Sequence, residues 1–111
     1  MQAALLRNSN LLYKCPACGH HAIPVVAGSK VANSWEWNGD LASPTVSPSV
    51  KHSYPDSFYI EHPNAPKYIC HYFIRNGCIE FCGDCTHDKR GQTIPLEQFS
   101  DAEVKLNEHD G

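Results

Sequence analysis

Residues 70–81, CHYFIRNGCIEF, predict a β-hairpin that organises the rest of the chain. Asn76 and Gly77 form the residue pair that favours a type I′ turn, because both central residues of that turn need a positive φ. Side chains alternate between the two faces of a strand. The more apolar face then carries these residues: Cys70, Tyr72, Ile74, Ile79 and Phe81. Continued alternation brings Cys85 and His87 to the same side, so we expect cysteines on the buried face of this hairpin.

Residues 15–21, CPACGHH, have the spacing of a zinc knuckle. Two thiolates on a tight turn can both reach a tetrahedral zinc ion at about 2.3 Å, which leaves two positions for a distant segment. Pro16 stiffens the turn, and Gly19 can take the positive φ that turns the backbone towards the sulfurs. We therefore expect Cys15 and Cys18 to be zinc ligands.

Length and charge limit the possible functions. The chain has 111 residues, 41% of them hydrophobic, which suffices for one modest core, so we expect a single domain over residues 1–111. The formal net charge is −3 and the Lys and Arg residues are scattered, which disfavours generic nucleic-acid binding. The opening segment MQAALLRNSNLLYK has neither a signal-peptide core nor a membrane span. We expect a cytoplasmic protein without membrane contact, whose cysteines bind metal rather than form disulfides.

The remaining segments predict a small mostly-β (β-rich α+β) fold held together by zinc. It would consist of an antiparallel sheet, a zinc-ribbon-like knuckle and a short C-terminal helix that begins with the capping-box sequence of residues 100–103. Strands are expected at residues 11–14, 22–26 and 31–37, the last with Trp35 and Trp37 in the core. Residues 41–50 contain two prolines, which predict an extended segment at a sheet edge. Residues 51–67 are expected to form a loop with a short strand at 58–60.

The order of several short motifs resembles a known family. These motifs are CPACGHH, WEWNGD, PTVSPSV, CHYFIRNGCIEF, GDCTH and GQTIPL, and they span most of residues 15–96. In this combination they are similar to the DUF6527-type family of small phage and prophage proteins of unknown function, some of which carry an ammonia-monooxygenase label. The resemblance implies that Cys70 and His71 match a cysteine and a histidine that family members usually have. It likewise implies that Asp84 and His87 match a usual aspartate and histidine. Relatives commonly have leucine at the position of Cys82.

Together these observations predict one zinc site. The expected ligands are Cys15, Cys18 and Cys70, with a fourth ligand from Cys85 or His87. Three alternatives remain open for the fourth position, because a bulge beside the metal would reverse the alternation of side chains. They are His71, His21 and Cys82, the last as part of a CGDC knuckle.

Two functions are compatible with such a site. A closed, thiolate-rich zinc is structural, which favours a non-enzymatic phage-type accessory module that binds a host or defence protein in the host cytosol. The alternative is a small zinc-dependent hydrolase, in which Asp84 activates a metal-bound water near His71 and His87. We favour the first and leave enzymatic activity an open question.

Overall fold

Eight strands form one sheet in a computed structural model that describes residues 2–27 and 34–110. The strands follow one another across the sheet in chain order, and their bounds are β1 (Leu5–Arg7), β2 (Asn10–Cys15), β3 (Gly19–Ala27), β4 (Trp35–Trp37), β5 (Val46–Ser53), β6 (Ile69–Arg75), β7 (Cys78–Phe81) and β8 (Thr93–Pro95). All neighbouring strands pair antiparallel except β3 and β4, which are parallel. Helix α1 (Asp56–Glu61) follows β5, and helix α2 (Asp101–Asp110) closes the chain. The mostly-β prediction is confirmed.

The hairpin of β6 and β7 forms as its sequence predicts. Arg75 pairs with Cys78, and the turn residues Asn76 and Gly77 have φ angles of 52° and 76°. The predicted buried set lies in the core, and none of its members is more than 4% exposed: Cys70, Tyr72, Ile74, Ile79 and Phe81. The opposite face of the hairpin, which carries His71 and Phe73, is therefore free to build a site.

Strand β5 lies inside the sheet, between β4 and β6, so the expectation of an edge segment is wrong. Its register against β6 shifts between the pairs Val46–Ile74 and Val50–Tyr72, which leaves a bulge at residues 47–49. Pro48 lies in this bulge, where the regular ladder of hydrogen bonds is interrupted and a missing N–H costs little. A proline inside a strand thus indicates a bulge here rather than an edge.

A helix, α1, stands where a short strand was expected at residues 58–60. Asp56 provides a negative charge in the first turn, which stabilises a helix N-terminus. Aromatic side chains at the two ends of the helix then pack on Phe58, Tyr54 at 4.4 Å and His62 at 4.7 Å between ring centroids. These local contacts favour the helix over an unpaired strand.

The C-terminal helix begins with the predicted capping box. The Ser100 hydroxyl accepts a hydrogen bond from the Glu103 N–H, and the Glu103 carboxylate accepts one from the Ser100 N–H. No helix in the described part of the chain is long and apolar enough to cross a membrane. The two tryptophans of β4 pack as expected, Trp37 within the core and Trp35 against its margin. The first three residues of the strand expected at 31–37 lie outside the described residues.

Candidate active site and metal centre

Four potential metal ligands meet where the knuckle approaches β6. The thiols of Cys15, Cys18 and Cys70 and a ring nitrogen of His21 all lie within 4.8 Å of one another. Cys15 and His21 belong to the hairpin of β2 and β3, and Cys70 comes from β6, with its Sγ 4.0 Å from that of Cys15. This knuckle cluster could hold a metal ion, and it contains the three cysteines that the sequence brings together.

The charge state of the knuckle cluster favours a cation. The hydrogen bond with Cys70, followed by a contact with His21, lowers the pKa of the Cys15 thiol to about 4 even though burial opposes the shift. The same contact raises the pKa of Cys70, so the two sulfurs share one proton. A thiolate is therefore present at neutral pH, and thiolate is the form that binds metals. In the described residues, Nε2 of His21 is buried without a hydrogen-bond partner, which suits a metal ligand.

A buried polar network holds His21 in place. The rings of His21 and His52 stack with centroids 3.9 Å apart, and His52 Nε2 lies 2.8 Å from the Tyr72 hydroxyl. Tyr72 continues the chain to the hydroxyl of Tyr13 at 2.6 Å. Such outer contacts fix the ring orientation of a ligating histidine. They give a role to Tyr72, which the sequence had placed only on the buried face of the hairpin, and to His52, which it had placed in a loop.

The two residues expected to supply the fourth ligand lie elsewhere. Cys85 is buried against β6, where its thiol donates to the backbone carbonyl of His71 at 3.1 Å and its sulfur accepts from the His71 N–H at 3.3 Å. His87 packs edge-on against Phe81, and its Nδ1 accepts a hydrogen bond from the Lys89 N–H. Cys85 is bonded to the backbone of β6 and His87 to its own loop, so the structure groups His21, and not Cys85 or His87, with the three cysteines.

A second cluster of polar side chains lies on the exposed face of the hairpin of β6 and β7. Nδ1 of His71 is 3.1 Å from both carboxylate oxygens of Asp84, and Nε2 is 2.9 Å from the Ser49 hydroxyl oxygen. If Asp84 accepts the Nδ1 proton, Nε2 presents a lone pair to the Ser49 hydroxyl. This is the hydrogen-bond order of a Ser–His–Asp catalytic triad, in which the serine is the nucleophile.

Three different elements position this triad. His71 is in β6, Asp84 is in the loop after β7, and Ser49 occupies the bulge of β5. The Trp35 indole donates to the Ser49 carbonyl at 3.2 Å, which fixes the backbone beside the Ser49 hydroxyl. Sequence reasoning had assigned His71 and Asp84 to a possible hydrolytic site but had missed Ser49. The signal that could have found it is Pro48, since bulges often turn side chains into active sites.

A family model matches residues 2–82 and carries the description "Bacterial ubiquitination-like system serine protease (BubE)". The chain belongs to the BubE family. In this BubE chain the matched region includes Ser49 and His71 and ends two residues before Asp84. No match was found among curated proteins, and none among solved structures.

Membership in the BubE family corrects the expected function. A non-enzymatic protein-binding module is wrong, because the family is described as a protease. The zinc-dependent hydrolase is overturned as well, since a serine protease attacks with a hydroxyl group rather than with a metal-bound water. The structure agrees with this correction, because Asp84 contacts His71 beside a serine hydroxyl and His87 lies apart from both.

Proposed function

We propose that this protein is a serine protease in which Ser49 is the nucleophile, His71 the general base and Asp84 the residue that orients His71. The observation that carries the proposal is the continuous contact from the Ser49 hydroxyl through both nitrogens of His71 to the Asp84 carboxylate. The family description supports the same class of enzyme. The matched region includes Ser49 and His71 but not Asp84, so the role of Asp84 is supported by the hydrogen-bond geometry alone.

The reaction follows from the positions of the protons. Ser49 Oγ attacks the scissile carbonyl carbon while its proton passes to Nε2 of His71, and the carboxylate of Asp84 stabilises the imidazolium that forms. His71 then gives this proton to the leaving group, which departs and leaves an acyl-enzyme on Ser49. Water, deprotonated by the same histidine, releases the acyl group and restores the serine. His71 is about one-quarter exposed, so substrate and water can reach it.

The substrate we propose is an acyl bond at the C-terminal end of a ubiquitin-like protein, formed either with an extension of its own chain or with a conjugated target. The family description supports this proposal, since it refers to a bacterial ubiquitination-like system. A cleft of about 330 Å³ lies beside the bulge, and its walls include Ser47, Pro48, Phe73 and Arg75. Small-molecule sites begin at about this volume, so the cleft suits a short stretch of extended chain rather than a folded domain.

Zinc is the metal we propose for the knuckle cluster. Tetrahedral coordination with zinc–sulfur distances of about 2.3 Å places two sulfurs about 3.8 Å apart. The observed separation of Cys15 and Cys70 Sγ is 4.0 Å. Three thiolates and one imidazole make a closed set of four ligands, which is typical of structural zinc. Bound there, zinc would cross-link the hairpin of β2 and β3 to β6 and take no part in the reaction.

The proposal is tested by cleavage of a ubiquitin-like protein with a C-terminal extension, taken from the same bacterial system. Ser49→Ala should abolish cleavage, because it removes the hydroxyl in contact with Nε2 of His71. Ser53→Ala is the matched control, since Ser53 is an exposed serine on the same strand but outside the cleft and should retain activity. Undiminished cleavage by Ser49→Ala would refute the proposed nucleophile.

A further inference from the structure

A second group of potential metal ligands overlaps the triad. A ring nitrogen of His71, the sulfur of Cys82 and a carboxylate oxygen of Asp84 lie within 4.8 Å of one another. The Cys82 N–H donates to the His71 carbonyl at 2.9 Å, so the backbone holds the thiol opposite the imidazole. The hydrogen bonds among Ser49, His71 and Asp84 do not involve Cys82, so its thiol is available for another role.

We propose that His71, Cys82 and Asp84 form a regulatory site for a thiophilic divalent cation such as Zn²⁺, and that its binding switches off the protease. The inhibitory part of this proposal rests on the proposed function. Thiolate, imidazole and carboxylate are the three ligand types that zinc uses in proteins, and three protein ligands leave a fourth position for water. Binding releases the thiol proton of Cys82 and the Nδ1 proton of His71 to solvent.

Occupation of this site would disable the general base. Nδ1 is the imidazole nitrogen that faces Asp84, at 3.1 Å from each carboxylate oxygen, so it is the nitrogen available to the cation. A cation on Nδ1 replaces the N–H that Asp84 holds, and the tautomer required for catalysis is lost. It also places positive charge beside a ring that must itself become positive when it accepts the serine proton. Both effects oppose attack by Ser49.

The two metal sites differ in ways that make the second one reversible. The knuckle cluster has four donors, three of them sulfur, and two of its cysteines are buried. The second cluster has three donors and one sulfur, and its Asp84 side chain is 46% exposed. Fewer and more solvated ligands bind a cation more weakly. We therefore expect the knuckle to be filled first and the second site to respond to free cation.

Cation binding is measured on protein whose knuckle cluster is already loaded with zinc, by titration with Co²⁺ and observation of thiolate-to-cobalt charge-transfer absorption. Wild-type protein should bind a further equivalent, and Cys82→Ser should weaken this binding by at least about tenfold. Cys78→Ser is the matched control, because Cys78 is a partly buried thiol on the same strand pair but outside the cluster. Unchanged binding in Cys82→Ser, or no further equivalent in wild type, would overturn the proposal.

Inhibition is measured separately, as peptide-bond cleavage against added Zn²⁺. Zn²⁺ should inhibit the wild type and Cys78→Ser alike, whereas Cys82→Ser should keep its basal activity and need at least about ten times more zinc. Equal sensitivity of all three proteins would contradict the inference. Ser49→Ala separates the two proposals, because it should lose cleavage yet bind the further Co²⁺. A cleaving Ser49→Ala would refute the nucleophile while leaving the metal site to stand on its binding data.

Discussion

Nε2 of His71 lies 2.9 Å from the hydroxyl oxygen of Ser49, although 22 residues separate them in the chain. The two residues belong to neighbouring antiparallel strands, and the contact depends on the bulge that interrupts the register between Val46 and Val50. The bulge gives β5 extra residues opposite Phe73 and turns Ser49 towards the exposed face of β6. The sheet is thus the scaffold of the proposed catalytic site, and the bulge delivers its nucleophile.

Asp84→Asn should lower kcat by a factor on the order of 10⁴ while leaving the fold intact, because the asparagine N–H can donate to Nδ1 and so stabilise the wrong tautomer of His71. Steady-state cleavage and far-ultraviolet circular dichroism are the measurements. Asp88→Asn, an exposed aspartate in the same loop, is the control and should change neither. A loss of less than tenfold in Asp84→Asn would argue against the triad.

Tyr72→Phe should destabilise the protein more than Tyr13→Phe. Removal of the Tyr72 hydroxyl takes away the partner of both the buried Tyr13 hydroxyl and His52, at a cost of about 1–3 kcal/mol for the polar group left unpaired. Tyr13→Phe leaves Tyr72 bonded to His52. Urea unfolding of the metal-loaded protein provides the comparison, and equal midpoints would show that the network carries no such asymmetry.

Gly77→Ala should be more destabilising than Gly91→Ala. Both glycines have a φ near 75°, so each alanine incurs a strain of about 1 kcal/mol. Only at Gly77 would the added Cβ also meet backbone, at 3.3 Å from the Ser43 Cα, whereas nothing lies within 4 Å at Gly91. Thermal melts of both variants measure the difference. A larger effect at Gly91 would be inconsistent with the packing of the hairpin turn against residue 43.

His21→Ala should lose the knuckle metal, whereas Cys85→Ala should retain it. His21 lies within the cluster, while the Cys85 thiol is bonded to the backbone of His71. Elemental analysis after purification without chelator gives the stoichiometry, about one equivalent in wild type and in Cys85→Ala. Metal loss in Cys85→Ala with retention in His21→Ala would restore the ligand set expected from the sequence.

Local patterns predicted the parts of the fold that depend on local interactions. The Asn76–Gly77 turn and the Ser100–Glu103 capping box each need only neighbouring residues, so both could be identified from the sequence. The alternation of side chains in the hairpin likewise placed Cys70 in the core, because burial of one face fixes the register. Helix α1 escaped prediction because the prolines and polar residues of its segment indicated a loop.

The candidate active site could be predicted only in part. His71 and Asp84 stood out as titratable residues close to a metal-like pattern, but serine is common and Ser49 has no distinctive neighbours except Pro48. Its place beside His71 depends on the register of β5 against β6, a long-range property that short motifs do not determine. For the same reason the prolines of this segment were mistaken for the mark of an edge strand.

The reactivity of Ser49 is the central claim, and covalent labelling tests it most directly. A fluorophosphonate probe phosphonylates a serine hydroxyl that is activated by a neighbouring base. After incubation of the metal-loaded protein, peptide mass spectrometry should locate one adduct per chain on Ser49, with labelling lost in Ser49→Ala and strongly reduced in Asp84→Asn. An unmodified Ser49, or equal labelling of wild type and Ser49→Ala, would contradict the assignment of this protein's catalytic nucleophile.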